Sequence, residues 1–207
     1  MKASLPLEGL ETGKAAVPAR KLFDICKALP EHVELTLDAG NERATLKAGS
    51  SRFSLACLPA DDFPVQEESS HTARIALPAA ALRELLDQTA FAMANQDVRY
   101  YLNGLMLEVF GDGLRAVATD GHRLSYSTAE IVTGEVSPMQ VIVPRKGILE
   151  LQRLINDEEQ EISLILGSKH LKVESSNGEF LSKLIDGRFP DYNRVMPDNP
   201  GNHLLVD

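Results

Sequence analysis

The sequence predicts an α+β fold built from three copies of one unit, in which a short amphipathic helix precedes a set of antiparallel strands. Two observations support this prediction. Apolar residues recur with helical spacing at three places, and each helical segment is followed by stretches of alternating apolar and polar residues. The first and third units also repeat at a fixed period, because Val17-Pro18 and Phe63-Pro64 recur as Val143-Pro144 and Phe189-Pro190, each 126 positions later (from 17 to 143 and from 63 to 189).

The first unit opens with a helix after Val17-Pro18, because proline is tolerated in the first helical turn. Four apolar side chains form one stripe on this predicted helix: Leu22, Ile25, Cys26 and Leu29. Pro30 ends the helix. Alternating patterns then predict strands at 33–37, 44–48 and 52–58, and a further short strand is predicted at 3–7.

A polar stretch at 67–70 is predicted to be a linker, and the two units that follow it are predicted to form one domain, 71–196. The second unit has a strand at 73–77, a helix from Pro78 with Leu82, Leu85 and Leu86 inward, and strands at 105–110, at 114–118 and after Arg123. The third has a strand from Gln140, a helix after Pro144 with Ile148, Leu151 and Ile155 inward, and strands at 161–166, 171–175 and 180–185.

Composition sets limits on the class of protein. The chain has 207 residues and a formal net charge of −9, which argues against a protein that coats nucleic acid with its whole surface. We expect neither a signal peptide nor a membrane span, because the sequence has no long apolar run. Cys26 and Cys57 lack metal-ligand spacing, so buried, reduced thiols in a cytoplasmic protein are expected, with no cofactor and no metal.

The segment 118–124 is the most distinctive turn in the sequence. Asp120 is expected to hydrogen-bond its own backbone two residues on, and Gly121 supplies a positive φ, so His122 and Arg123 stand on a corner between two strands. An ordinary hairpin with solvated polar residues fits the same pattern. A hydrolase in which Asp120 and His122 activate Ser125 is disfavoured, because triad geometry is hard to build from neighbours on a tight turn, and other catalytic motifs are absent from the sequence.

Basic residues on the helices that follow the two Val-Pro pairs are candidates for contacts with phosphates, although the residues alone favour a simple solvated helix face. They are Arg20, Lys21 and Lys27 on the first helix, and Arg145, Lys146 and Arg153 on the third. The segment 96–101 adds a cation and two tyrosines, which can lie along a sugar–phosphate strand. The alternative is one core tyrosine beside one surface tyrosine.

Four segments, 96–104, 118–124, 143–147 and 186–192, resemble in this order the β subunit of bacterial DNA polymerase III, the DNA sliding clamp family. The resemblance runs over nearly the whole chain. It implies a DNA-clamp fold in which helices lie on one side and sheets on the other. It also implies a non-enzymatic processivity factor that tethers a replicative polymerase to duplex DNA, rather than a stand-alone peptide-binding adaptor, the second reading of the sequence.

The resemblance also implies a division into domains. Residues 1–66 correspond to the second half of clamp domain 1, 67–70 to a linker, 71–196 to a complete domain 2, and 197–207 to the start of domain 3. On this reading the chain is a fragment that does not close a ring by itself. In the full-length family two subunits form a homodimeric ring around double-stranded DNA.

Three sets of residues match positions to which the family gives a role. The DNA-binding set is Arg20, Lys27, Gln96, Arg99, Tyr100, Tyr101 and Lys146, next to an Asn95 where the family often has histidine. The partner-peptide groove is Leu102, Thr119, Gly121, His122, Arg123, Leu124, Pro190, Arg194 and Val195. The ring interface is Lys21, Phe53 and Leu55. The implied groove partners are the polymerase III α subunit, the clamp loader and repair proteins, each through a short linear motif.

Overall fold

The structure is a computed structural model, and it describes residues 13–40, 42–63, 71–133, 136–155, 160–176 and 178–196. These residues divide into two compact units, 13–63 and 71–196. The predicted strand at 3–7, the predicted linker at 67–70 and the predicted start of domain 3 at 197–207 lie outside the described residues.

The first unit contains the predicted helix and three strands. Helix α1 (Ala19–Ala28) begins after Pro18, whose fixed φ suits the position before the first turn. Strands β1 (Leu35–Ala39), β2 (Arg43–Ala48) and β3 (Ser51–Ala56) form an antiparallel sheet in the order β1-β2-β3. Among the described strands, β1 and β3 are therefore the edges of this sheet.

One face of the first sheet is apolar but only partly covered. Leu35 pairs with Ala48 and Leu37 with Leu46, so these four side chains share a face. Leu46 and Ala48 of β2 are buried, whereas Leu35 and Leu37 of β1 are 46% and 51% exposed. The described helix α1 has the predicted stripe, yet none of its residues is buried. The expectation of buried thiols was wrong for Cys26, which is exposed on α1, and Cys57 is half-buried.

The second unit consists of two helices and two four-stranded antiparallel sheets. The helices are α2 (Ala79–Thr89) and α3 (Arg145–Leu154). The strands are β4 (His71–Pro78), β5 (Gly104–Phe110), β6 (Gly113–Thr119), β7 (Leu124–Glu130), β8 (Met139–Pro144), β9 (Glu161–Gly167), β10 (His170–Ser175) and β11 (Gly178–Lys183). Each helix begins directly after a proline that ends the preceding strand, as the sequence predicted.

The two repeats of this unit exchange their first strands. One sheet has the order β7-β6-β5-β8 and the other β11-β10-β9-β4. Strand β8 thus precedes the third-repeat helix but pairs with β5 of the second repeat, and β4 pairs with β9 of the third. Neither repeat completes its sheet alone, which explains why two copies make one compact body.

The main core fills the space between the helices and the sheets. Its members include the predicted inward residues Leu82, Leu85, Leu86, Ile148 and Leu151, together with residues from both sheets. A smaller cluster lies on the opposite face of β5, β6 and β8, where Met106, Val117 and Ile142 pack against Phe189 and Tyr192. Strands β5 and β6 are therefore buried on both faces, and the second cluster fixes the segment near 189–192 on the sheet.

No helix within the described ranges has the length and apolar character needed to cross a bilayer.

Candidate functional site

A cavity of about 410 Å³ opens beside the smaller apolar cluster of the second unit. Eight of the nine residues predicted for the groove line it: Leu102, Thr119, Gly121, His122, Arg123, Leu124, Pro190 and Val195. The ninth, Arg194, is largely exposed, and its guanidinium pairs with Asp191, which lines the cavity (Nε to Oδ2, 3.0 Å). This cavity is called the groove below.

The groove combines an apolar floor with an accessible apolar rim. Leu102 is buried and Leu124 half-buried, and Leu124 stands opposite Thr119 where β6 and β7 pair. Tyr192, which the sequence analysis did not include, is also buried and lines the cavity. Val195 is 70% exposed at the rim. Such a surface suits a bulky apolar side chain of an extended ligand.

The corner at 119–123 is tied by its own side chains. The Asp120 carboxylate accepts hydrogen bonds from the backbone N–H groups of His122 (2.9 Å) and Arg123 (3.0 Å), as the turn chemistry predicted. The Arg123 guanidinium also donates to it (3.1 Å). These bonds, the backbone ones first, lower the pKa of Asp120 to about 2. The Thr119 hydroxyl accepts from the Gly121 N–H and donates to the Arg123 carbonyl oxygen.

Arg99 lies in the wall of the groove. Its guanidinium forms a two-point ion pair with Asp97 (Nε to Oδ1, 3.0 Å; Nη2 to Oδ2, 2.8 Å) and donates to the Asp120 carbonyl oxygen (3.2 Å). The hydrogen bond from Arg99 is the main reason why the pKa of Asp97 is lowered to about 2. A Cβ atom on Gly121 would lie 2.8 Å from Nη1 of Arg99, so the guanidinium rests directly on this glycine.

The sequence-based family models match both parts of this chain. The model described as the central domain of the DNA polymerase III beta subunit matches residues 76–191, and its N-terminal-domain model matches 1–67. The chain belongs to the DNA polymerase III beta subunit family. The first of these matches covers strands β5 to β8 and every residue lining the groove except Tyr192 and Val195.

Known clamps resemble this chain in sequence and in structure. It is 48% identical to a beta sliding clamp of Pseudomonas aeruginosa, over 96% of this chain and 54% of that protein, and 47% identical to one of Escherichia coli, over 94% and 53%. A solved P. aeruginosa clamp bound to griselimycin superimposes with a TM-score of 0.90 at 48% identity, covering 94% of this chain and 53% of that one. Caulobacter crescentus pol III beta gives 0.83 at 40% identity, over 90% and 52%. The chain spans about half the length of these relatives.

The residues predicted to bind DNA are divided between two surroundings. Arg99 and Tyr101 line the groove, where Arg99 is ion-paired with Asp97, and their role in DNA binding stays a prediction. Gln96 and Tyr100 are exposed on the segment that leads into β5, and Gln96 has a φ of 59°. Hydrogen bonds between Asp97 and Asn103 close this loop at its base (2.9 and 2.8 Å).

The helix cations differ in how far they are engaged. Lys146 is exposed in the first turn of α3, and Arg20 and Lys27 are exposed on α1, with Arg20 3.6 Å from Asp24. Arg145 is half-buried and donates to the Met93 carbonyl oxygen (3.1 Å), so part of its guanidinium is engaged within the fold. Arg153 pairs with Glu150 at 2.8 Å.

Of the three residues predicted for a ring interface, one has a side chain that is buried within its own unit. Lys21 is exposed on α1 and Phe53 is half-buried on β3, but Leu55 is only 4% exposed. Leu55 pairs with Ala44 and faces the core of its own unit, because alternate residues of a strand point to opposite faces. At position 55 this edge strand can therefore contact a neighbour through its backbone groups, but not through the leucine side chain.

The contacts of Asp120 and Ser125 do not support the hydrolase alternative. The Ser125 hydroxyl donates to the Gln88 carbonyl oxygen, and the Asp120 carboxylate holds backbone N–H groups instead of the His122 ring. Within the described ranges, no group of three or more His, Cys, Asp and Glu side chains is arranged to hold a metal ion.

A polar cluster of Glu108, Arg115, Gln140 and Tyr192 lies beside the groove and was not predicted from the sequence. Strand alternation already places Glu108 and Arg115 on the face opposite the main core, which was the available signal. Their partner Tyr192 lies 77 residues beyond Arg115, and local patterning does not reveal a contact at that separation.

Proposed function

We propose that this chain is part of a sliding clamp, a processivity factor without a catalytic site that keeps a replicative polymerase on duplex DNA. The observation that carries the proposal is the groove, where eight residues from distant segments line one cavity. Family membership and relatives named as beta sliding clamps support it. A cytoplasmic location and the proposed division into domains, with 71–196 as a complete clamp domain, belong to the same proposal.

The groove is proposed to receive short linear motifs of the polymerase III α subunit, the clamp loader and repair proteins. Leu102, Leu124 and Val195 provide apolar contacts. The Arg99 and Arg123 guanidinium groups, which also line the groove, are proposed to orient polar groups of an extended peptide. A Gln-x-x-Leu-Phe-like peptide has the matching pattern of one polar and two bulky apolar side chains. Closure into a homodimeric ring is proposed for the full-length family.

Peptide binding is expected at the groove with a dissociation constant on the order of tens of micromolar or weaker, because a cavity of this size buries little of a peptide. Adding the peptide to isotope-labelled protein should shift the amide signals of 119–124. Val195→Ser should weaken binding about fivefold through lost apolar contact. The matched control is Val132→Ser, since Val132 is also exposed (85%) but lies outside the groove. Shifts confined to α1, with none at 119–124, would contradict the proposal.

Duplex DNA is proposed to meet the exposed cations of the helices through its phosphates only. Lys146→Ala should lower affinity for a labelled duplex about threefold at low salt and reduce the salt slope by about one, for every duplex sequence. Lys169→Ala removes the same charge from the exposed turn between β9 and β10 and should change neither quantity. Equal effects of the two variants would argue for the alternative, a peptide-binding adaptor without a DNA role. Strong preference for one duplex sequence would contradict contacts through phosphates only.

A further inference from the structure

We infer that Arg115, together with Glu108, positions the outer wall of the groove by holding Tyr192 in place. This inference rests on the proposed peptide-binding function of the groove. Tyr192 lines the groove and begins the short 3-10 turn Tyr192–Val195, whose last residue forms the rim. Pro190, two residues earlier, also lines it. A residue that fixes Tyr192 therefore fixes the segment that carries four of the residues lining the groove.

Three polar groups form a closed triangle behind this wall. Nη1 of Arg115 donates to the Glu108 carboxylate (2.7 Å) and to the Tyr192 hydroxyl (2.7 Å). The Tyr192 hydroxyl in turn donates to the same carboxylate oxygen (2.9 Å). Gln140 donates to the other carboxylate oxygen (2.7 Å). Each member contacts both others, so the position of the phenol is determined from two sides.

Strand pairing makes this triangle rigid. Glu108 stands directly opposite Arg115 on β6 and opposite Gln140 on β8, so the three side chains form one row across the sheet. Burial alone would raise the pKa of Glu108, but the hydrogen bonds from Gln140, Tyr192 and Arg115 outweigh it and the pKa is lowered. The carboxylate therefore stays ionised and continues to accept all three hydrogen bonds.

Arg115 is an unusual choice for this position if packing were its only role. Its side chain is only 21% exposed, between the rings of Phe110 (4.2 Å) and Tyr126 (5.2 Å). Its Nε atom is buried without a hydrogen-bond partner among the described residues. An apolar side chain of similar volume would fill the space without desolvating a charge, so the guanidinium is explained by the contacts it directs at Tyr192 and Glu108.

The test compares peptide affinity among folded variants by isothermal titration, using the Gln-x-x-Leu-Phe-like peptide and the full chain. Arg115→Met should weaken binding about fivefold and Tyr192→Phe, which keeps the ring and removes only the hydroxyl, about threefold. Because both act through one contact, the double variant should bind no more weakly than Arg115→Met. The matched control is Arg74→Met, since Arg74 pairs with Glu174 across the other sheet (2.8 Å) and should leave binding unchanged.

A purely structural role would lower the unfolding midpoint of these variants without changing peptide affinity. Affinities of Arg115→Met and Tyr192→Phe within the error of the wild type would overturn the inference while the proposed function stands. Independent, additive losses would overturn it as well. No binding by the wild type would overturn the proposed function and this inference together. If Arg115→Met does not fold, the peptide affinities of Tyr192→Phe and Arg74→Met decide: a loss in the first alone supports the inference, and no loss in either overturns it.

Discussion

Amide hydrogen exchange is expected to be about a thousandfold slower in the central strands β5 and β6 than in β2, the central strand of the first unit. That ratio corresponds to a difference of about 4 kcal/mol in the free energy of the opening that exposes the amide. The difference follows from burial. In β5 and β6, side chains are buried on both faces of the sheet.

The first unit has much less to hold it together. Among its described residues, the buried apolar ones are Ala44, Leu46, Ala48 and Leu55, and two of these four are alanines, whose side chain is a single methyl group. All residues of β1 are exposed, and the described helix α1 buries none of its own. Because apolar burial is the main source of folding free energy, this sheet should open without unfolding of the second unit.

The comparison of β2 with β6 is matched, since both are inner strands with an antiparallel neighbour on each side. Exchange should be followed by mass spectrometry or NMR at two protein concentrations. The open apolar face around Leu35 and Leu37 favours self-association, so protection in β1 to β3 should rise with concentration while that in β5 and β6 stays constant. Protection of β2 equal to that of β6 in a dilute, monomeric sample would contradict the expectation.

Local patterning was sufficient to predict the helices and most strands. The apolar stripes at Leu82, Leu85 and Leu86 and at Ile148 and Leu151 are buried as predicted, because helix periodicity is a property of neighbouring residues. The turn at Asp120 was likewise predictable from its own side-chain chemistry. Membership of the groove came from resemblance to a family, since the residues near 102, 119–124 and 190–195 are brought together only by the fold.

The features that the sequence did not reveal share a physical cause, which is contact over long sequence distance. The DNA-binding role of Arg99 stays a prediction, and the structure adds a hydrogen bond to the Asp120 carbonyl oxygen that places Arg99 in the groove wall. The exchange of β4 and β8 between repeats cannot be read from either strand alone, because both have ordinary apolar patterns. Leu35 and Leu37 alternate as buried residues do, yet their exposure depends on what covers the sheet.

Gly121→Ala should weaken peptide binding about tenfold, whereas Gly111→Ala should leave it unchanged. The two glycines form a matched pair because both have a positive φ, 88° and 44°, so an alanine costs about 1 kcal/mol of backbone strain at either position. They differ in surroundings. A Cβ atom on Gly111 meets nothing within 4 Å, whereas one on Gly121 meets the Arg99 guanidinium at 2.8 Å. The Arg99 guanidinium must therefore shift from its position in the groove wall.

The displacement of Arg99 has a second readout that does not involve the peptide. The pKa of Asp97 is about 2 in the wild type chiefly because Arg99 donates to its carboxylate, and the ordinary value is 3.8. NMR titration of the carboxyl carbons should therefore show the Asp97 midpoint rising toward 3.8 in Gly121→Ala and staying near 2 in Gly111→Ala. If binding weakens while the Asp97 midpoint does not move, the added methyl group acts by filling the groove. In that case the role given to Arg99 is wrong.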